Sequence, residues 1–398
     1  MRFRLGVNYW PATSAMRWWR RFDASEVARD FARIREAGLD WVRIFLLWED
    51  FQPYTDAVSP LMIDRLVTVA DVAAHNQLSL VPTLFTGHMS GVNWIPRWAL
   101  EAEDSRHPTR FRTVTGERVL PRARLRNWYE DEEITRAQVR LAREASGALS
   151  GHPALWAWDL GNENSNCVVP PTHDTGLGWL ERVAGEITSA DSSAAVTLGL
   201  HTEDLEEDRR IGPCEVASVC DFLCMHGYPF YADWAEGPTD EFVLPFLGLV
   251  TRWLGGRDVL FEEFGAPTRP PDEAQAEAAG RVPLLDEEDA ARFTRRALIA
   301  LYEFGLAGAG VWCYADYQQH LWREPPLDEA THERHFGLWR SDYSPKPAVS
   351  EVGLMSGASR REVEDAFSWV DMDAADYYAS PRENLRRLYG NFRRRLKD

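Results

Sequence analysis

Ala154-Leu-Trp-Ala-Trp-Asp-Leu-Gly-Asn-Glu-Asn164 is a short, almost wholly apolar run that stops abruptly at polar residues. An amphipathic stretch precedes it at residues 132–149 and another follows at 175–190, both with apolar side chains at helical spacing. A strand that is apolar on both faces and flanked by helices belongs in a parallel sheet covered on both sides. The same unit recurs toward the N-terminus. Strands are predicted at Arg4-Leu-Gly-Val-Asn-Tyr9, Trp41-Val-Arg-Ile-Phe-Leu46 and Leu78-Ser-Leu-Val-Pro-Thr-Leu-Phe85. Helices are predicted at 60–76 and at 24–37, the latter with Asp23 as N-cap and Gly38 as its stop. Toward the C-terminus follow Ala195-Val-Thr-Leu-Gly-Leu200, Phe222-Leu-Cys-Met-His226, Val259-Leu-Phe-Glu262 and Ala309-Gly-Val-Trp-Cys-Tyr314, separated by helices near Glu215, at 241–254 and at 286–304. Eight such units predict the α/β class and a single (β/α)8 TIM barrel, although an open doubly wound sheet shares the local pattern.

Three connections are long: 87–131, 265–285 and 315–344. All follow strands, and that face of a barrel carries its binding groups. The barrel is expected over residues 1–356, with a C-terminal helical extension over 357–398 whose end, 386–397, is a basic helix packed on the outside. The 398 residues carry 45% hydrophobic and 12% aromatic side chains, which excludes disorder as the main state. A net charge of −18 disfavours nucleic acid and anionic lipid as partners, and no apolar run is long enough to span a bilayer. Cys167, Cys214, Cys220, Cys224 and Cys313 are odd in number and form no CxxC pair, so neither a disulfide framework nor a zinc site is expected. Residues 1–10 enter a strand pattern without a leader-like segment, from which a cytoplasmic setting is expected. The acids and histidines around His332 and His335 lack metal-ligand spacing on a helix, and Gly305, Gly308 and Gly310 miss the GxGxxG pattern. No metal and no cofactor are expected.

The strand ends hold a specific set of polar residues: Arg43 in the second strand, His88 after the third, Gly161-Asn162-Glu163-Asn164 after the fourth, His226-Gly227-Tyr228 after the sixth, Glu262-Glu263-Phe264-Gly265 after the seventh, and Trp312 in the eighth. In this the chain resembles glycoside hydrolase family 5, part of the clan of barrel glycosidases that keep two catalytic glutamates at the ends of strands four and seven. The resemblance covers roughly residues 3–350. Asn-Glu after one apolar strand or Glu-Phe-Gly after another is weak alone, but both in this strand order are specific.

The resemblance implies that Glu163 is the acid/base and Glu263 the nucleophile of a retaining β-glycosidase, a reaction needing two carboxyl groups about 5 Å apart. Glu163 would be protonated near neutral pH and Glu263 ionised, with Arg43 and Tyr228 favouring its carboxylate. Asn162 would bond the sugar's 2-hydroxyl, His226 would hold the acid/base or a hydroxyl, and His88 would contact the innermost sugar. Trp312 would form an apolar platform beneath that sugar. Trp94 and Trp322, in long loops, are candidates for outer sugar subsites. His201 suits a core role as well as a site role. Glu262 competes with Glu263 for register, and the pattern of a nucleophile directly before an aromatic and Gly selects Glu263, leaving Glu262 to point outward between strand and helix.

The partner implied is a small oligosaccharide or glycoside, with no membrane or nucleic acid and no indication of oligomeric state. Gly6-Val-Asn-Tyr-Trp10 and Gly87-His88-Met-Ser-Gly91 resemble the β-mannosidase and mannanase-like members of the family. β-Glucosidase or β-galactosidase activity, transglycosylation, and a binding barrel without catalysis are the rival readings.

Overall fold

The computed structural model describes residues 1–107, 109–269, 282–364 and 366–396. Eight strands make one sheet: β1 (Arg4–Asn8), β2 (Trp41–Phe45), β3 (Ser79–Phe85), β4 (Ala157–Asn162), β5 (Ala195–Gly199), β6 (Leu223–His226), β7 (Val259–Phe264) and β8 (Gly308–Val311). Neighbours pair in parallel in the order β5-β4-β3-β2-β1-β8-β7-β6. The two ends meet: Asp221 N–H donates to the Val196 carbonyl at 2.9 Å and His226 N–H to that of Leu200 at 2.8 Å. The sheet therefore closes into a (β/α)8 barrel.

The helices α1 (Ala24–Glu36), α2 (Pro60–His75), α3 (Glu132–Ala148), α4 (His173–Ala190), α5 (Pro213–Val219), α6 (Val243–Gly255), α7 (Glu287–Glu303) and α8 (Pro347–Gly353) follow the strands in turn. Their ends obey local chemistry. Asp23 accepts from Ser25 N–H at the start of α1, Asp131 from Glu133 and Ile134 N–H at the start of α3, and Gly38 takes φ +86° where α1 stops.

The barrel interior is stacked in layers, because every second residue of a strand faces inward. Trp41, Val81, Ala157, Cys224 and Leu260 form an apolar floor. The Trp41 ring fills its centre, where a Cβ on Gly6 would lie 2.1 Å from it and one on Gly310 2.6 Å. Two residues further along the same strands stand Asn8, Arg43, Thr83, Asp159, His226 and Glu262, all buried. Above this polar layer lies the open end of the barrel.

Of the long connections, that after β3 folds into short strands of its own. Val92–Trp94 pairs with His88–Met89 and Arg112–Thr115, and Leu100–Ala102 pairs with Arg124–Leu125. The central part of the connection after β7, residues 270–281, lies outside the described residues. After α8 the chain reaches α9 (Ala374–Ala379) and α10 (Pro381–Arg395), while Lys397 of the expected basic helix lies outside the described residues. Leu385, Leu388, Tyr389 and Phe392 of α10 are buried, with the Phe246 ring of α6 4.9 Å from that of Tyr389 and 5.6 Å from that of Phe392. No described helix is long and apolar enough to cross a membrane.

Candidate active site

Arg43 organises the barrel's polar interior. Its guanidinium donates to Asp159 Oδ2 at 2.6 Å, Glu263 Oε1 at 2.5 Å, Asn162 Oδ1 at 2.9 Å and Thr83 Oγ1 at 2.9 Å, and Glu262 Oε1 lies 3.4 Å from its Nε. A buried cation needs such partners, and three carboxylates here share one arginine. Gly199 leaves room for the arrangement, since a Cβ there would meet Arg43 Nη2 at 2.9 Å and His226 Cε1 at 3.0 Å.

Glu262 corrects the sequence expectation. Its side chain is fully buried inside the barrel, with Oε2 3.2 Å from His226 Nε2. Strand alternation carries Leu260 and then Glu262 inward, and a register shift between Phe261 and Phe264 turns Glu263 inward as well. Both glutamates thus reach Arg43 and His226.

Glu263 Oε2 also accepts from Tyr228 Oη at 3.0 Å. Glu163 ends β4 in the left-handed region, φ 47° and ψ 45°, an uncommon backbone state for a glutamate. It receives Asn166 Nδ2 at 3.1 Å and lies 3.1 Å from His226 Nδ1. One carboxylate oxygen of Glu163 lies within 4.8 Å of one of Glu263, and His226 is within the same distance of both.

His226 bridges the carboxylates. Burial lowers its pKa, but Glu263, Glu163 and Glu262 outweigh burial and push it up to about 10. Burial raises Glu163, yet the positive fields of His201, His226 and His88 hold it below the usual carboxylate range. Glu262 is likewise raised by burial and brought down by Arg43 and His226. Glu263 is raised: burial, with Glu163 and Glu262 nearby, outweighs His226 and Arg43. Sequence reasoning placed the resting proton on Glu163 and left Glu263 ionised. The proton favours His226, one hydrogen bond away, because two cations serve a cluster of four carboxylates.

Above these groups opens a cavity of about 390 Å³, within the ~300–1,000 Å³ typical of small-molecule sites. Glu163, Glu263, Asn162, His88, His226, Tyr228 and Trp312 all border it. Asn162 Nδ2 donates to the His88 carbonyl at 2.7 Å, leaving one amide hydrogen for a ligand. Arg43 lies beneath the cavity, not on its wall. Trp94 and Trp322 do not reach it: Trp94 is buried near Arg17, and Trp322 packs edge-on to His335. Neither indole is brought to this cavity: Trp94 Nε1 donates to the Met89 carbonyl and Trp322 Nε1 to that of Tyr317.

Sequence reasoning passed over Asp159, Ser90, Arg110, Phe111, Tyr231 and Glu333. Asp159 was legible as an acid two residues after the inward Ala157. The others sit in irregular loops that show no periodicity. Among the described residues, Glu163, His226 and Glu263 are the one donor group close enough to ligate a cation, and there a metal would compete with the Arg43 guanidinium and the His226 proton.

No protein-family model matches the chain. A protein of Oryza sativa subsp. japonica, provisionally named mannan endo-1,4-beta-mannosidase 5, is 28% identical over 170 residues, so the match spans 35% of this chain and only 33% of the rice protein's length. A GH5_18 structure from Streptomyces cattleya in complex with Manb1-4GlcNAc superposes with a TM-score of 0.72 at 22% identity, over 89% of this chain and 80% of that one. Exo-beta-1,4-mannosidase Op5Man5 from the Opitutaceae bacterium strain TAV5 gives a TM-score of 0.70 at 24% identity, over 89% of this chain and 59% of that one. These likenesses establish the barrel fold.

Proposed function

We propose that the chain is a retaining β-glycosidase of glycoside hydrolase family 5 that acts on β-mannosides, without a cofactor. The observation that carries this reading is the pair of carboxylates at the ends of β4 and β7, with oxygens within 4.8 Å across one cavity, the spacing that double displacement uses. Glu263 attacks the anomeric carbon as the glycosidic bond breaks, and Arg43 and Tyr228 hold it on line. His226 passes its proton to Glu163, which delivers it to the leaving oxygen. Water then enters, Glu163 takes its proton, and the hydroxyl replaces Glu263 on the sugar. The mannoside preference is supported by the names of the rice and Opitutaceae proteins and the disaccharide of the Streptomyces complex. A cytoplasmic setting belongs to the same proposal and is supported by five unpaired cysteines. Cell fractionation checks it.

The test is hydrolysis of aryl β-mannoside, β-glucoside and β-galactoside by the wild type and by Glu263→Ala. The mannoside is expected to be turned over fastest, and the variant to lose on the order of 10³-fold or more. Added azide should restore turnover in Glu263→Ala and yield the α-glycosyl azide, because the small anion attacks the anomeric carbon where the side chain stood. Loss in Glu262→Ala with rescue there, and retention in Glu263→Ala, would reverse the two assignments. Binding of all three sugars without turnover would leave a carbohydrate-binding barrel.

A further inference from the structure

Glu333 stands beside the cavity and outside the machinery just described. It comes from the short turn Thr331–His335 in the connection after β8 and is only 7% exposed. Its Oε2 accepts two hydrogen bonds, from Ser90 Oγ at 3.0 Å and from the Trp312 indole Nε1 at 3.2 Å. Its Oε1 accepts none from the described residues, and His332 Nε2 lies 3.5 Å from it. His332 Nε2 in turn meets Tyr231 Oη at 3.1 Å. Connections after β3, β6 and β8 are therefore tied together around this one carboxyl group. Burial, with Glu163 nearby, raises its pKa from the ordinary range despite His332, Ser90 and Trp312.

A carboxylate has about four acceptor positions, and buried polar groups are seldom left half used. Glu333, Trp312, Glu163 and Glu263 border the same cavity. The indole that anchors Glu333 by its N–H also offers the cavity an aromatic surface on which a sugar ring can lie. We infer that Glu333 accepts a hydrogen bond from a free hydroxyl of the sugar that is cleaved off, and that it thereby restricts the site to a terminal, unsubstituted sugar. This inference rests on the glycosidase reading and deepens it. A sugar extended at that hydroxyl has no proton to donate, and its next ring would have to displace the loops that Ser90, His332 and Tyr231 tie together. The expected action is removal of single sugars from a chain end.

Two measurements test this, both on the intact chain. The first uses the aryl β-glycoside the wild type prefers, together with its 3-, 4- and 6-deoxy forms, assayed with wild type and with Glu333→Gln, which preserves shape. At one position, removing the hydroxyl should lower wild-type kcat/KM on the order of 10- to 100-fold, yet lower that of Glu333→Gln only a few-fold. Equal losses in both enzymes at all three positions overturn the inference. The second measurement needs only the wild type: a reducing-end-labelled β-1,4-linked tetrasaccharide of the preferred sugar should first yield labelled trisaccharide. Labelled disaccharide or monosaccharide as the first product also overturns it. If the wild type hydrolyses no aryl glycoside, the glycosidase reading itself fails, and that outcome is distinct from either of these.

Discussion

Glu262 and Glu263 are chain neighbours that both reach Arg43 and His226, although strict alternation would send one of them out of the barrel. The consequence is a histidine with three carboxylates around it, pushed up to about 10. A group whose folded pKa is raised stabilises the fold fully below its unfolded value, near 6.5, and that contribution is lost as pH climbs through about 10. Thermal unfolding between pH 6.5 and 10 should therefore show a falling Tm in the wild type and a shallower fall in His226→Gln; parallel curves would mean that the His226 proton does not stabilise the fold. Much of this cluster was legible. Arg43 between Val42 and Ile44 demanded a buried acid, and Asn162-Glu163 and Glu263-Phe264-Gly265 sat at strand ends where barrel chemistry collects. What could not be read was that Glu262 and Glu263 both face inward, because the register shift that turns Glu263 in beside Glu262 is set by pairing with distant strands and leaves no mark in the local alternation. Glu333 and Ser90 were illegible for a related reason: they meet across 243 residues of chain, in segments without period.

At the scale of elements, the strands that carry the chemistry run past the ends of their apolar runs. β4 was expected to stop at Leu160 and reaches Asn162, and β7 was expected to stop at Glu262 and reaches Phe264. Polarity normally marks the end of a buried strand, but these barrel ends tolerate it because Arg43 and His226 compensate the acids inside. The connection after β3 was expected only to be long and to lie on the binding face. It folds into two small sheets, fastened by Arg112 to Asp328 and by Arg110 to Glu203, the latter pair on the cavity wall. Arg110 is 55% exposed, so its ion pair adds about 0–1 kcal/mol to stability at most. Its effect belongs to binding. Arg110→Ala should leave Tm within a degree or two of wild type while raising KM roughly 3- to 10-fold with kcat little changed, as for a lost contact of ~1 kcal/mol made equally in ground and transition states. Steady-state kinetics beside a thermal melt checks both halves, and an unchanged KM would show that this wall does not touch the substrate.

For the molecule as a whole, the net charge of −18 conceals a pairing of opposite surfaces. The basic end of the chain was expected to be a helix packed on the outside. α10 buries an apolar face on α6 and lays its arginines along the acidic connection after β6, the same connection that supplies Tyr228 and Tyr231 to the cavity. The pairs differ in kind. Arg382 and Arg386 meet Asp233 where both partners are about half exposed, in contact with water and salt. Asp240 is buried: it accepts from Tyr389 Oη at 2.5 Å, from Arg393 Nη1 at 2.9 Å and from Glu236 N–H at 2.9 Å. Exposed pairs contribute little and are screened, whereas breaking a buried one strands a desolvated charge. Asp233→Ala should therefore change unfolding stability by no more than about 0.5 kcal/mol. Asp240→Ala should remove roughly 3 kcal/mol by leaving the Tyr389 hydroxyl without its acceptor and Arg393 with only the half-exposed Glu236. Urea unfolding of both variants at low and at 1 M salt is the comparison to make. The large loss in Asp240→Ala should persist in salt, and kcat should fall with it well below the melting range, because the loop that holds Tyr228 against Glu263 loses its backing. Equal small losses in the two variants would mean that the C-terminal helix is held by its apolar face alone, and that the barrel positions Tyr228 without it.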